Sequence, residues 1–151
     1  MQDASGPVEL DYMYNAANRL YAQFATSCGL SSCAYWMLYE LERMGGSSSL
    51  RLLDSQWSYS RQTINSALKS LEARGLIELV FEEGSKKSKE ARLTERGREF
   101  VARNLVPAME AEERAFERLT ECERETMLRL VRKYTDALNA EFGAMNPASG
   151  R

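Results

Sequence analysis

The feature that most constrains the fold is the stretch 60–75, which is patterned as one helix with a marked beginning and a marked end. Ser60 is the type of residue that accepts a hydrogen bond from a free amide at a helix start. Tyr59 and Ile64 have the spacing of a hydrophobic staple across that start. Gly75 follows the last turn, where a left-handed residue closes a helix. The sequence therefore predicts a short, well-delimited helix here.

The two faces of this predicted helix differ in chemistry. At about 100° per residue, its apolar side chains fall within one third of the circumference; they are Ile64, Ala67, Leu68 and Leu71. The opposite face is polar and carries Arg61, Gln62, Asn65, Ser66 and Lys69. Arginine pairs with guanine, and asparagine or glutamine with adenine. The face is suited to reading DNA, although an ordinary solvated helix has a similar polar side.

Charge is distributed unevenly along the chain. The 151 residues have a net charge of −2, which by itself argues against nucleic acid. Residues 50–98 nevertheless contain ten basic and seven acidic residues, whereas residues 1–49 and 99–151 are net acidic. Any positively charged surface that could bind DNA therefore lies on the segment that contains the helix 60–75.

Composition disfavours several other classes of function. There is no histidine, which excludes histidine-dependent acid–base and triad chemistry, and the acidic residues form no catalytic constellation. We therefore expect neither an enzyme nor a cofactor. Three cysteines at unsuitable spacing predict neither a disulfide framework nor a metal site. No apolar run approaches the ~20 residues of a membrane span, and no signal-sequence pattern is present, which predicts a cytoplasmic protein without a membrane partner.

The segment 47–94 has the order of a winged helix-turn-helix. Ser47-Ser48-Ser49 is expected to start a short helix over Leu50 to about Trp57, and a tight turn leads to the helix 60–75. Strand patterns at 76–81 and 89–93 then flank a turn with a basic tip, which carries Lys86, Lys87 and Lys89. Lysines at a hairpin tip often serve solubility alone, but their position directly after this helix favours contact with phosphates or the minor groove.

Long helices are predicted on both sides of this lobe, over 9–44 and 95–142. Pro107 should bend the second set because it lacks the amide that a helical bond requires, and Thr120 to Glu123 form a capping box. Their apolar stripes exceed what one small winged helix can cover, which favours packing across a two-fold axis. The predicted fold is mainly α with a small β-hairpin, in one domain over 1–151 that dimerises through the flanking helices.

This layout resembles the MarR family of bacterial transcription regulators over nearly the whole chain. The resemblance is carried by four groups of residues at matching spacings: Gly29-Leu30-Ser31, Ser60-Arg61-Gln62-Thr63, Leu71-Glu72-x-Arg74-Gly75-Leu76-Ile77 and Leu93-Thr94-x-x-Gly97. It implies a homodimeric repressor or activator, with a repressor favoured, that binds an operator with two half-sites on double-stranded DNA. The implied DNA-binding residues are Ser60, Arg61, Gln62, Thr63, Asn65, Ser66, Lys69, Lys86, Lys87 and Lys89.

The chain departs from the family pattern in its wing, where lysines replace the usual arginines. A lysine cannot reproduce a planar arginine in a narrow groove, so wing contacts should be more phosphate-directed. Loss of DNA binding, which would leave a winged-helix protein-interaction module, is the alternative that this wing and the net acidic chain suggest.

The resemblance also raises the question of a sensor. Many family members bind a small effector between the dimer helices and the winged helix, and the residues here that are candidates to line such a pocket are Tyr12, Tyr21, Tyr35, Trp36 and Met44. Aromatic residues at helical spacing are, however, more often core. A redox-sensing branch uses a reactive cysteine near the N-terminal helices, where Cys28 and Cys33 lie. Buried structural cysteine is the favoured interpretation of both.

Overall fold

The computed structural model describes residues 6–56 and 58–145. Its elements, in chain order, are α1 (Pro7–Ser27), α2 (Ser32–Arg43), β1 (Ser47–Ser49), α3 (Leu50–Gln56), α4 (Arg61–Ala73), β2 (Ile77–Phe81), β3 (Lys89–Leu93), α5 (Glu95–Asn104), α6 (Val106–Phe116) and α7 (Glu121–Met145). The described residues form two compact units, divided after Pro107. The predicted single domain over the whole chain stays a prediction.

The first unit has a core built around α2. Leu38 and Leu41 of this helix are fully buried together with Leu71 of α4 and Val101 of α5. Burial of such side chains stabilises the fold by roughly 1.5–3 kcal/mol each. The core therefore fixes α4 against α2, and only the polar side of α4 remains exposed.

The predicted limits of α4 are confirmed. Ser60 accepts a hydrogen bond from the Thr63 amide at 3.1 Å and so caps the first turn. Gly75 has φ +67, a left-handed conformation that most residues avoid. The Leu76 amide donates to the Leu71 carbonyl at 3.0 Å, which closes the helix in the manner of a Schellman motif.

The predicted two-stranded hairpin is part of a three-stranded antiparallel sheet with the order β1-β3-β2. The serines 47–49 form β1, a strand that the sequence did not predict, and Ser48 lies opposite Ala91 of β3. The strand was missed because it depends on backbone pairing with β3, over forty residues away in sequence. The predicted helix after the serines is present, because α3 begins at Leu50 and the Ser49 hydroxyl accepts from the Leu52 amide at 3.1 Å.

The long C-terminal helix breaks where Pro107 predicts. The helix α5 ends at Asn104, and α6 begins at Val106 with Pro107 in its first turn, where the missing amide is tolerated. In the second unit the predicted capping box is present, because Glu123 accepts from the Thr120 amide at 2.8 Å and its own amide donates to the Thr120 hydroxyl at 3.3 Å.

The predicted end of the short helix, at about Trp57, lies outside the described residues. Among those that are described, no helix has the length and apolar character needed to cross a membrane.

Candidate nucleic-acid interface

The helix α4 presents its predicted polar face to solvent. The exposed side chains on this face are Arg61, Gln62, Thr63, Asn65, Ser66 and Lys69. Ile64, Ala67, Leu68 and Leu71 are buried on the opposite side. The predicted division of the helix is thereby confirmed, and it leaves one arginine, one lysine and two carboxamides available on a rigid element.

Two of the predicted DNA-binding residues, at the start of α4, also stabilise the helix. The Ser60 hydroxyl lies 2.8 Å from the Thr63 hydroxyl and accepts from the Thr63 amide. A Ser60 side chain held in this way is already part of the cap that begins α4. Among the described residues, no ion pair involves Arg61 or Lys69, so their charges are available to an external partner.

The wing is a hairpin loop held by its own hydrogen bonds. The Glu82 amide donates to the Ser88 carbonyl at 2.9 Å, and the Ser85 hydroxyl accepts from the Ser88 amide at 2.9 Å. Lys86 and Lys87 are exposed in this loop. Lys89 differs from them, because it lies on β3 and its ammonium is 5.4 Å from the centre of the Phe81 ring. The predicted trio therefore divides into two tip lysines and one at the base.

Two clefts connect the wing with α4. One, of about 490 Å³, lies between the start of α3 and the wing, and its lining includes Arg51, Lys87 and Lys89. The other, of about 410 Å³, lies between α3 and α4, and its lining includes Arg51, Arg61 and Asn65. Since Arg51 lines both clefts, the polar face of α4 and the wing belong to one continuous surface.

Sequence reasoning missed Arg51 as a residue of this surface. It is exposed, and it lies in the first turn of a helix whose start is capped by Ser49. The available signal was a lone basic residue just after the serine triplet. The sequence alone does not place Arg51 on the DNA-facing surface, because its position there depends on the serines forming a strand beside the wing.

Carboxylates lower the positive charge of the same surface. Asp54 lines the cleft between α3 and α4, and Glu82 lines the cleft beside the wing. A phosphate approaching either carboxylate would be repelled. The surface therefore attracts phosphates in limited places, around Arg51, Arg61 and the wing lysines.

Three of the five candidate pocket residues come together in the first unit. The ring centres of Tyr21 and Trp36 are 4.7 Å apart, and those of Tyr35 and Trp36 are 5.2 Å apart. Tyr12 is nine residues before Tyr21 on α1, roughly 13 Å along the helix, and is 69% exposed. Met44, at the end of α2, is 49% exposed. The structure thus groups Tyr21, Tyr35 and Trp36 and leaves the other two apart.

Tyr39 and Phe24 extend this aromatic group. The Tyr39 ring lies 5.2 Å from Trp36, and the Phe24 ring lies 5.9 Å from Tyr35 in an edge-to-face arrangement. Tyr35 is buried, whereas Tyr21, Trp36 and Tyr39 are half-buried. Aromatic pairs at these distances stabilise a core by about 0.5–1.5 kcal/mol each, so packing alone accounts for their proximity.

The candidate redox cysteines differ in their surroundings. Cys33 is buried, and burial raises the pKa of its thiol. A thiol with a raised pKa has less of the reactive thiolate. Cys28 is half-buried, and its sulfur lies 4.0 Å from the Ser27 hydroxyl. Both thiols are free. Redox sensing at either residue stays a prediction, and the burial of Cys33 weighs against it there.

No group of histidine, cysteine or acidic side chains suited to a metal ion occurs within the ranges 6–56 and 58–145.

Comparison with known proteins agrees with the resemblance that the sequence suggests. Residues 29–88 match the model of the MarR family, which confirms that resemblance. A MarR family regulator from Neisseria meningitidis is similar in structure, with a TM-score of 0.76 and 20% identity over 90% of this chain and 95% of that one. A search of curated proteins gives no match.

Two further solved structures have the same fold. A MarR family transcriptional regulator from Silicibacter pomeroyi has a TM-score of 0.68 and 26% identity over 85% of this chain and 86% of that chain. MepR of S. aureus, solved in complex with DNA, has a TM-score of 0.68 and 18% identity over 88% of this chain and 98% of that chain. The predicted winged helix-turn-helix fold is thereby confirmed.

Proposed function

We propose that this MarR-type winged helix protein is a sequence-specific double-stranded DNA-binding transcription regulator that acts as a homodimer and represses its target genes. The observation that carries the proposal is the continuous polar surface formed by α4, the start of α3 and the wing. It combines base-reading side chains on a rigid helix with lysines on a hairpin, as the two kinds of DNA contact require.

In this proposal α4 enters the major groove and reads the bases. Arg61 is suited to guanine, and Gln62 and Asn65 to adenine. Because these side chains project from a helix held by its buried face, they reach the groove without a cost for ordering the backbone. Ser66 and Lys69 lie further along the same face and would contact base edges or phosphates. Thr63 and Ser60, through their mutual contact, orient the first turn.

The wing and α3 supply phosphate contacts on either side. Lys86 and Lys87 at the loop tip would reach the phosphates beside the minor groove, while Lys89 and Arg51 would bind phosphates nearer the major groove. Each phosphate that is neutralised releases condensed counterions, so binding should weaken steeply with salt. Specificity would come from α4, and affinity largely from the lysines and Arg51.

Exposed apolar side chains within each unit support the homodimer. On α1, Tyr12 and Leu20 are each 69% exposed. The helices α6 and α7 contain no buried residue, and Leu130 and Phe142 of α7, in the second unit, are 50% and 60% exposed. Apolar surface left in water loses about 25 cal/mol per Å² relative to burial. A second copy of the chain would cover such helices.

A small effector would fit at the half-buried aromatic group of Tyr21, Trp36 and Tyr39 on α1 and α2. Their rings provide an apolar surface, and the tyrosine hydroxyl and indole NH are polar groups that fix orientation in many ligand sites. In this proposal an effector bound here would release the protein from DNA.

Fluorescence anisotropy with labelled duplexes tests the proposal. The probe is the DNA upstream of the protein's own gene, and a scrambled duplex of equal length is the comparison. We expect tighter binding to the upstream DNA, and we expect Arg61→Ala to lower that preference while Lys87→Ala weakens binding to both duplexes by a similar factor. Arg118→Gln, in the exposed turn between α6 and α7, is a matched charge control that should leave both affinities unchanged.

Equal and salt-insensitive affinity for the two duplexes would refute sequence-specific DNA binding. That result would favour the alternative, a winged-helix module that binds a protein. Light scattering during size-exclusion chromatography tests the dimer separately; elution as a monomer at tens of micromolar would refute it.

A further inference from the structure

A concave corner between the end of α4 and one face of α5 lies outside the proposed DNA surface. It has a volume of about 240 Å³, and three arginines, Arg74, Arg96 and Arg103, line it beside the Phe100 ring and the carboxylate of Glu99. All of these residues belong to the first unit. Three positive charges against one negative charge meet here in a chain whose net charge is −2.

Arg74 is held in a fixed position at this corner. Its Nη1 donates to the Gly29 carbonyl at 2.9 Å, which ties the end of α4 to the turn between α1 and α2. Its guanidinium carbon lies 5.1 Å from the centre of the Phe100 ring, a cation–π distance. A guanidinium has five N–H donors, so four remain after the bond to Gly29. An oxyanion meeting these donors would not have to order the side chain first.

Arg96 and Arg103 complete the corner from α5. They are seven residues apart, which places them two turns apart on the same face of the helix, roughly 10 Å along its axis. Both are exposed, and neither forms an ion pair with any carboxylate of the described residues. Glu99 lies between them in sequence yet is not paired with either. The positive charges therefore remain available to a ligand.

We propose that this corner is a binding site for a small oxyanion, a phosphate or carboxylate group of a diffusible ligand. Planar guanidinium groups bind both kinds of oxyanion through pairs of parallel hydrogen bonds. The volume is below the ~300–1,000 Å³ of sites for drug-sized ligands, so the ligand is small. The Phe100 ring gives it an apolar wall. The site uses none of the residues proposed to contact DNA.

Titration of the ¹⁵N-labelled full-length protein followed by NMR tests this site. The probes are inorganic phosphate and acetate, each added at constant ionic strength against sodium chloride. We expect saturable shifts concentrated at the amides of residues 74–76 and 96–104. Tighter binding of phosphate would identify a phosphate-bearing ligand, and tighter binding of acetate a carboxylate; either result supports an oxyanion site.

Variants make the test specific to the corner. Arg96→Gln and Arg103→Gln should each weaken binding by about tenfold or more, because each removes a charged hydrogen-bond donor. Arg74→Lys keeps the charge but loses the forked geometry, and it should also weaken binding. Arg118→Gln removes the same charge from the exposed turn between α6 and α7 and should bind as the unaltered protein does. Shifts spread over all basic surfaces, or equal binding by all variants, would mean an adventitious ion only and would overturn the proposal.

Discussion

Replacement of Gly97 by alanine should destabilise the fold through a backbone clash. Gly97 is buried in the first turn of α5, and a Cβ built there would overlap the Leu76 carbonyl oxygen and lie 2.9 Å from the carbonyl carbon. The same Leu76 oxygen accepts from the Thr94 amide at 3.1 Å. The clash is with main chain, so a side-chain rotation cannot relieve it, and α5 must move away from the start of β2.

The magnitude follows from three contributions. Overpacking of this kind costs about 1–3 kcal/mol, and loss of the Thr94–Leu76 hydrogen bond costs about 0.5–1.5 kcal/mol. Alanine in a helix recovers about 1 kcal/mol relative to glycine. The free energy of unfolding should therefore fall by about 0.5–3.5 kcal/mol, which lowers the Tm by roughly 1–14 °C for a protein of this size.

Thermal unfolding followed by circular dichroism measures this change at one fixed protein concentration, because association would make the Tm concentration-dependent. Gly143→Ala on α7 is the matched control, since a Cβ there meets no atom within 4 Å. The control should keep or raise the Tm. An unchanged Tm for Gly97→Ala, with the control behaving as expected, would refute the close packing of α5 against Leu76, just before β2.

Two further predictions concern pH. Hydrogen bonds from the Thr120 amide and then from its hydroxyl lower the pKa of Glu123, so the stability they contribute is present above pH 4.5 and is lost as the pH falls through the lowered pKa. Glu123→Gln should therefore lose less helical signal on acidification than Glu125→Gln does, and equal losses would contradict the capping role. Burial raises the pKa of the Cys33 thiol. The stability that the neutral, buried thiol contributes is therefore fully present below pH 9.0 and is lost as the pH rises through the raised pKa. Cys33→Ala should show a weaker fall in Tm above that pH than Cys122→Ala, whose thiol is exposed; parallel falls would refute the prediction.

Local signals explain why the helix 60–75 could be predicted from sequence. Each signal depends on residues within a few positions of one another: the cap at Ser60, the separation of apolar and polar residues onto opposite faces, and the left-handed Gly75. The break at Pro107 and the capping box at Thr120 are local in the same sense. Each of these predictions concerns what a short peptide segment favours by itself.

Features that depend on distant residues could not be predicted in this way. The strand β1 consists of three serines, and it exists because it pairs with β3. The bond between Arg74 and Gly29 joins residues 45 positions apart, and the arginine corner depends on it. Arg51 belongs to the proposed DNA surface only because the fold places α3 beside the wing. Local sequence patterns do not indicate which distant residues come into contact in the fold.

Selection from a pool of random DNA duplexes tests the central claim most directly. The full-length protein is incubated with the pool at moderate salt, bound duplexes are recovered, and the enriched sequences are determined. A homodimer that reads DNA through α4 should enrich a two-fold symmetric motif whose half-site centres are about 10 base pairs apart, one helical turn. Arg61→Ala should enrich a degenerate form of that motif. Recovery of no motif, with the pool unchanged after repeated rounds, would contradict the account.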